Sequence, residues 1–227
     1  MKKRSHKGRK FGTAVFVLGL LLCLGAVGLT AFNLWDSKRA AQASETISQQ
    51  LIEKIEDRAK GNSSTVESVE IQQTSVVAEA DGVNESTEQV PTVEVNGYGY
   101  VGILEIPGLE LSLPVMDTWD EERLKISPCL YAGSYYTDDM VICAHNYIGH
   151  FSAIRWISLG ESVNFYAVDE TAYYYKVVAV ETLEATAIDE MIHKDEDGTS
   201  DWDLTLFTCN TGGQTRCVVR CIRTADA

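Results

Sequence analysis

Apolar and polar positions divide the chain into unlike parts. Residues 11–35 are nearly continuously apolar, from Phe11 through Leu18, Leu22 and Leu29 to Trp35. About 20 such residues cross a bilayer as a helix. Over 36–60 the period becomes helical. Ile47, Leu51 and Ile55 recur at i+4, Ile52 widens the stripe, and charges fill the other faces. Gly61-Asn62 supplies the stop. Over 61–96 periodicity is lost among serine, threonine, glutamine and valine, with seven acids and no basic or aromatic residue. Such a segment cannot bury enough apolar area to offset chain entropy. It is expected to be a disordered spacer whose length lifts the following domain off a membrane. A strand within Val66 to Val77 is the alternative.

From residue 97 to 227 the pattern is β-rich. Tyr98–Ile106 reads as a strand, and Pro107-Gly108 as a turn. Leu111–Val115 follows, with Pro114 marking an edge or a bulge. Met140–Ala144, Ser162–Tyr166, Thr171–Thr182, Asp203–Cys209 and Gln214–Arg223 continue the series. Phe151–Ile157 and Ala187–His193 read as short helical turns. Roughly eight short strands with few helices predict a mainly β domain, a barrel or a sandwich.

Charge orients this layout. Residues 1–10 hold six basic side chains and no acid, which predicts a cytoplasmic N-terminus and an outside C-terminus. Removing those six leaves 13 basic against 33 acidic residues over 11–227, a net −20. That balance argues against a nucleic-acid partner. A cleaved signal peptide competes with an uncleaved anchor, with Ala40-Ala41-Gln42-Ala43 as a mimic of a cleavage site. The length of the apolar run, and Lys38 and Arg39 before that mimic, favour the anchor.

Six cysteines stand at 23, 129, 143, 209, 217 and 221. Setting Cys23 aside in the apolar run leaves five, so at least one thiol is unpaired within the chain. Cys129 with Cys143 is one pairing open to an extracellular domain. Cys143, His145 and Cys209 could gather round a metal, but structural zinc spacings are missing, and no metal is expected.

The chemistry concentrates at a strand end. Leu204–Cys209 is a buried-looking strand that stops at a thiol, and a thiolate beside a base is a nucleophile. His145 follows an apolar strand and can serve as acid or base near neutral pH. Arg216 lies on the next strand and can stabilise a developing oxyanion. Asn210 to Thr215 contains the Gly-Gly pair of a hairpin loop, which would set Arg216 alongside Cys209. Alternation puts Arg216, Val218 and Arg220 on one strand face and Cys217, Val219 and Cys221 on the other. Rivals are His150 and His193, both read as solvated, and Arg220, which shares a face with Arg216.

These residues resemble the sortase family. Its TLxTC motif stands here as Thr205-Leu206-Phe207-Thr208-Cys209, with Arg216 on the following strand before Val218 and Val219. Its histidine follows an apolar strand, here Ile142-Cys143-Ala144-His145-Asn146, with Ala144 where glycine is usual. Gly102 to Pro107 through Leu113-Pro114-Val115, and the block from Phe151 to Val163, are also sortase-like. The resemblance spans about 98–224. It implies an eight-stranded β-barrel outside a Gram-positive cell. It also implies a cysteine transpeptidase with His145, Cys209 and Arg216 as catalytic residues. The partners implied are secreted proteins with a C-terminal sorting signal and an amine of a cell-wall precursor or pilin. The short connection before Asp203, and the lack of a lid motif or second apolar span, resemble class A or D more than B or C. No cofactor is expected. Calcium aids some family members, and Glu105, Glu110 and acids near Glu170 are the residues to compare. A hydrolytic cysteine protease and a non-catalytic surface β-domain are the competing functions.

Overall fold

The computed structural model describes residues 6–62, 90–193 and 202–225. The N-terminal basic residues 1–5, most of the spacer, and the notional strand within Val66 to Val77 lie outside them.

One unbroken helix, α1 (His6–Asn62), contains both the apolar run and the juxtamembrane segment. From Val15 to Trp35 every side chain is exposed, and this part is long and apolar enough to cross a membrane. Beyond Trp35 the helix acquires a buried face. Ser37, Ala40, Ser44, Ile47, Ser48 and Leu51 are all buried at the 3–4 residue spacing of one helical side. Four of these six are serine or alanine, so the helix backbone approaches the rest of the chain closely. Ile55 is half-buried, whereas Ile52 is 45 % exposed and does not belong to the stripe.

Nine strands follow among the described residues. They are β1 (Val93–Val95), β2 (Tyr98–Ile106), β3 (Leu111–Met116), β4 (Cys129–Ala132), β5 (Met140–Cys143), β6 (Ser162–Ala167), β7 (Ala172–Glu184), β8 (Leu204–Cys209) and β9 (Thr215–Thr224). Two short helices, α2 (Glu121–Leu124) and α3 (Ile188–Ile192), and 3-10 turns at Pro107–Leu109 and Phe151–Trp156 complete the fold. The sheet order is β1-β2-β3-β4-β5-β8-β9-β7-β6, and β6 pairs back onto β2. Strands β2 to β9 therefore close an eight-stranded barrel.

One edge of β2 serves two partners. Tyr98–Tyr100 pairs with β1, and Gly102–Glu105 with β6. Closure passes through Gly102, where an added Cβ would run into the Tyr166 carbonyl oxygen and the Phe165 ring. Pro114 pairs with Ile103 on β2, while β3 meets β4 only at Met116↔Cys129. The missing proline N–H therefore costs the sheet little.

Two apolar cores result. Val101, Leu104, Ile142, Leu204, Leu206, Val219 and their neighbours fill the barrel. Outside the wall, Ile47 and Leu51 of α1 join Val93, Tyr100, Val141, Cys143, Phe207 and Val218. The ordered domain thus begins before residue 97, because β1 lies inside the span expected to be spacer. Its Val93 and Val95 are buried, and α1 covers this hairpin. Lys54 Nζ donates to Glu94 O at 2.6 Å and Asn96 Nδ2 to Gln50 Oε1 at 3.2 Å. The segment 63–89 joins the end of α1 to a strand docked on α1 itself, so it does not set the distance between barrel and helix.

Leu51 is fully buried and Ile52 is its exposed neighbour. Leu51→Ala is expected to lower unfolding free energy by about 2–4 kcal/mol. Ile52→Ala is expected to stay within about 0.5 kcal/mol of wild type. Urea melts of both variants in detergent check the pair.

Candidate active site

Strand β8 places the thiol. It runs parallel to β5 (Cys143↔Phe207) and antiparallel to β9 (Cys209↔Arg216). Parallel neighbours end at the same barrel end, so the residues after β5 stand beside the last residues of β8. Two bonds lock this junction. Ala144 N donates to Phe207 O at 3.2 Å, and Thr208 Oγ1 donates to Ala144 O at 2.7 Å. Ala144 is buried and its methyl belongs to the inner core, so the barrel accommodates alanine at that position.

Alternation then sorts the side chains. Leu204 and Leu206 of β8 face inward; Phe207 and Cys209 face the outer core. On β9, Cys217, Val219 and Cys221 face inward, and Arg216 lies opposite Cys209 on the outer face. Directly opposed residues of an antiparallel pair have Cβ atoms about 5 Å apart. His145, Cys209 and Arg216 line one cavity of about 540 Å³. Trp119, Tyr131, Phe207, Ile188 and Met191 supply apolar walls, with Glu121 and Lys125 at its margin. Trp119 stacks on Tyr131 at 5.1 Å, and Tyr131 meets Phe207 edge-on at 5.0 Å.

The thiols differ by burial. Cys129, Cys143, Cys217 and Cys221 are buried, and Cys209 is half-exposed. Loss of water around the buried thiols penalises their thiolates. Burial pushes Cys129 up to about 12 and raises Cys143, Cys217 and Cys221 above the usual thiol range. Cys129 and Cys143 face each other across β4 and β5 as free thiols. Among the described residues, no group of three or more His, Cys, Asp or Glu is arranged to hold a metal ion.

The two arginines have different tasks. Arg216 Nη1 donates to Gly213 O at 2.9 Å and Thr215 O at 3.3 Å, which ties its guanidinium to the hairpin beside Cys209. The hairpin itself is closed by Asn210 N to Thr215 O at 2.9 Å. Arg220 is buried away from the cavity. Its Nη1 donates to Met191 O and Thr205 Oγ1, its Nη2 to Glu190 O, and it packs over the Trp202 ring. It therefore fastens α3 to the barrel wall.

The histidines also separate. His193 is exposed, 3.9 Å from Asp189. His150 is not solvated, contrary to expectation, because α1 covers it. It has no exposed surface, and its Nε2 lies 3.4 Å from Ser44 Oγ of α1. Its Nδ1 has no hydrogen-bond partner among the described residues. Tyr147 sits between the two rings, 4.8 Å from His145 in a stacked pose and 5.7 Å from His150. Ser37 Oγ accepts from Ile148 N at 3.0 Å, so α1 holds the backbone just after His145. Tyr147, Trp119 and Tyr131 carry no signal in the sequence, since they sit in connections and a short strand with no periodicity.

Burial, aided by the charge of His145, lowers His150 to about 4. The unfolded chain, near 6.5, binds the proton more readily. Stability from this site is therefore complete above about pH 6.5 and lost as pH falls toward 4. The gap is worth roughly 3 kcal/mol at its acid limit. His150→Gln is expected to flatten the fall in melting midpoint between pH 7 and 5. A wild-type-to-variant difference that stays constant across those pH values would contradict this.

Comparison with known proteins joins these observations. The sortase domain family model matches residues 104–224. No curated protein matches the chain. Among solved structures, sortase C from Clostridium perfringens SM101 is 23% identical, covering 56% of this chain and 71% of that one at a TM-score of 0.46. Sortase A from Corynebacterium diphtheriae is 17% identical over 57% and 63%, at 0.49. A Clostridium perfringens sortase D5 transpeptidase is 12% identical over 81% of this chain and 99% of that one, at 0.53. At 12% identity the last of these likenesses speaks to fold alone, and it runs over nearly all of that chain. With the family model covering more than half of its residues, this closed barrel with a thiol at the end of β8 belongs to the sortase family.

Proposed function

We propose that the protein is a membrane-anchored cysteine transpeptidase acting on C-terminal sorting signals of secreted proteins. The observation that carries the reading is the cavity. It joins the half-exposed thiol, Cys209, to an arginine directly across the strand pair and to His145. The sulfur of Cys209, its proton passed to His145, attacks the carbonyl carbon of the signal's threonine. Negative charge moves to the carbonyl oxygen, where Arg216 stabilises it. The carbon–nitrogen bond breaks as His145 gives a proton to the leaving amine. The resulting thioester is then attacked by the acceptor amine, His145 removes the amine's proton, and the Cys209 sulfur leaves. The acceptor is an amine of a cell-wall precursor or a pilin. The apolar walls of the cavity suit an extended peptide with few charges.

Helix α1 anchors the enzyme as a single span, its basic N-terminus cytoplasmic and its barrel outside. Among sortase classes, the short connection between β7 and β8, with α3 only five residues long, favours an A- or D-like enzyme.

Cys209→Ala is expected to lower kcat/KM at a sorting-signal peptide by at least about 10³-fold, and His145→Ala similarly. Cys217→Ala retains activity. Arg216→Ala is expected to cost about 10²–10³-fold, with Arg216→Lys in between. Mass spectrometry of products with and without an added amine separates transfer from hydrolysis. Equal activity of the Cys209 and Cys217 variants would remove the assignment.

At neutral pH, iodoacetamide is expected to modify Cys209 well before Cys129, Cys143, Cys217 or Cys221, read by peptide mapping. Uniform modification of these thiols would favour a non-catalytic domain.

A further inference from the structure

Helix α1 fixes the height and tilt of the barrel along its own axis. The exposed apolar span ends at Trp35, and barrel contact starts two residues later where Ile148 N donates to Ser37 Oγ. Seventeen residues further on, Lys54 reaches Glu94 O in β1. At 1.5 Å per residue, that contact lies about 25 Å farther along the helix than Ile148. The β1 hairpin is therefore the end of the barrel remote from the apolar span.

Strand pairing extends this to other elements. The β1 hairpin sits on the Tyr98 end of β2, whereas the start of β6 lies toward the Ile106 end, with Asn164 opposite Glu105. Leu159 precedes β6 and so belongs to the near end. Strand β7 pairs with β6 at Lys176↔Ser162 and then continues to Glu184, which pairs with Thr215 next to the β8–β9 hairpin. The Cys209 end of the barrel thus points the same way.

One stretch of this near end has an unusual surface, while Glu110 and Glu161 stand elsewhere on the same end, Glu161 against Gly108. From His145 to Gly160 there is no acidic residue, in a chain with 33 acids against 19 bases. The same stretch exposes three large apolar side chains, Ile148 at 66 %, Trp156 at 80 % and Leu159 at 67 %. Lys38 and Arg39 are exposed on α1 just past Trp35. Carboxylates next to an anionic leaflet are repelled, and tryptophan and basic side chains are favoured at the interface.

We propose that the rim carrying Ile148, Trp156 and Leu159 lies in the interfacial layer of the same phospholipid bilayer that holds α1. The active-site end then faces the membrane. The inference rests on α1 being an anchor, as proposed above. A peptide emerging from the bilayer beside this rim would meet the cavity without crossing the height of the barrel.

The test uses the full chain in vesicles of phosphatidylcholine and phosphatidylglycerol. In a Cys23→Ala, Cys209→Ala background, single cysteines are introduced by Phe32→Cys, Ile148→Cys, Leu159→Cys or Glu94→Cys, all at exposed positions. Each is labelled with a small environment-sensitive fluorophore, and quenching by lipids brominated near the headgroup end of their chains is measured. The expected result is strong quenching at 32, clear quenching at 148 and 159, and none at 94. Quenching at 32 with none at 148 and 159 would overturn the proposal and leave the anchor standing. No quenching at 32 would remove the anchor and this proposal together. A blue shift at 148 that ignores brominated lipid and grows with protein-to-lipid ratio would assign the rim to a second copy, and would also overturn it.

Discussion

The pairing of β8 in opposite senses on its two edges is the constraint that organises the candidate active-site end. Its parallel edge with β5 puts the chain after Cys143 next to the chain after Phe207. Its antiparallel edge with β9 sets Arg216 across from Cys209. Neither neighbour alone would gather all three candidate residues. Each ladder bond contributes only about 1 kcal/mol net, but a broken, buried one costs more than that. The register is held further by Thr208 Oγ1 on Ala144 O and by inward packing of Leu204, Leu206, Val219 and Cys221. A one-residue slip of β8 would turn Cys209 into the barrel and Thr208 toward the cavity.

Helix α1 is the second organiser. Its small buried residues admit close approach, and two of its three buried serines, Ser37 and Ser44, bond to the loop between β5 and β6 and, for Ser44, to the segment before β4. The helix therefore acts on the same stretch that carries His145. Covering His150 has an energetic consequence, since burial disfavours its charged form and lowers it to about 4. The loop stacked through Tyr147 is thus coupled to helix docking. The apolar segment continues without a break into the part of α1 that packs on the barrel.

Much of the barrel was legible because its strands obey a two-residue period with clear punctuation. The ends of β2 were read at both residues, and β8 and β9 within a residue at either end. The hairpin between them carries Gly212 and Gly213, both at positive φ, which is why Gly-Gly announced it. Strand β4 was missed because Cys129–Ala132 is four residues long and irregular, with a register shift at Leu130/Ala132. Strand β1 was missed because three residues in an acidic, polar stretch carry no periodic signal. Its burial comes from α1 and β2, which is tertiary information. His150 was misread for the same reason, since the cover comes from a helix over a hundred residues away. The cavity walls Trp119 and Tyr131 likewise depend on how connections fold back. That Cys209, Arg216 and His145 meet at one cavity was readable because each sits at or just beyond the end of a regular strand.

The proposed transfer requires that Cys209 become acylated by a peptide and then pass the acyl group on. The direct measurement is intact-protein mass spectrometry during turnover of a panel of threonine-containing sorting pentapeptides, followed by peptide mapping. The expected result is an adduct with the mass of the peptide up to its threonine, located on Cys209 and discharged when a nucleophilic amine is added. An adduct on another cysteine, or product formation by a protein lacking the Cys209 thiol, would contradict it.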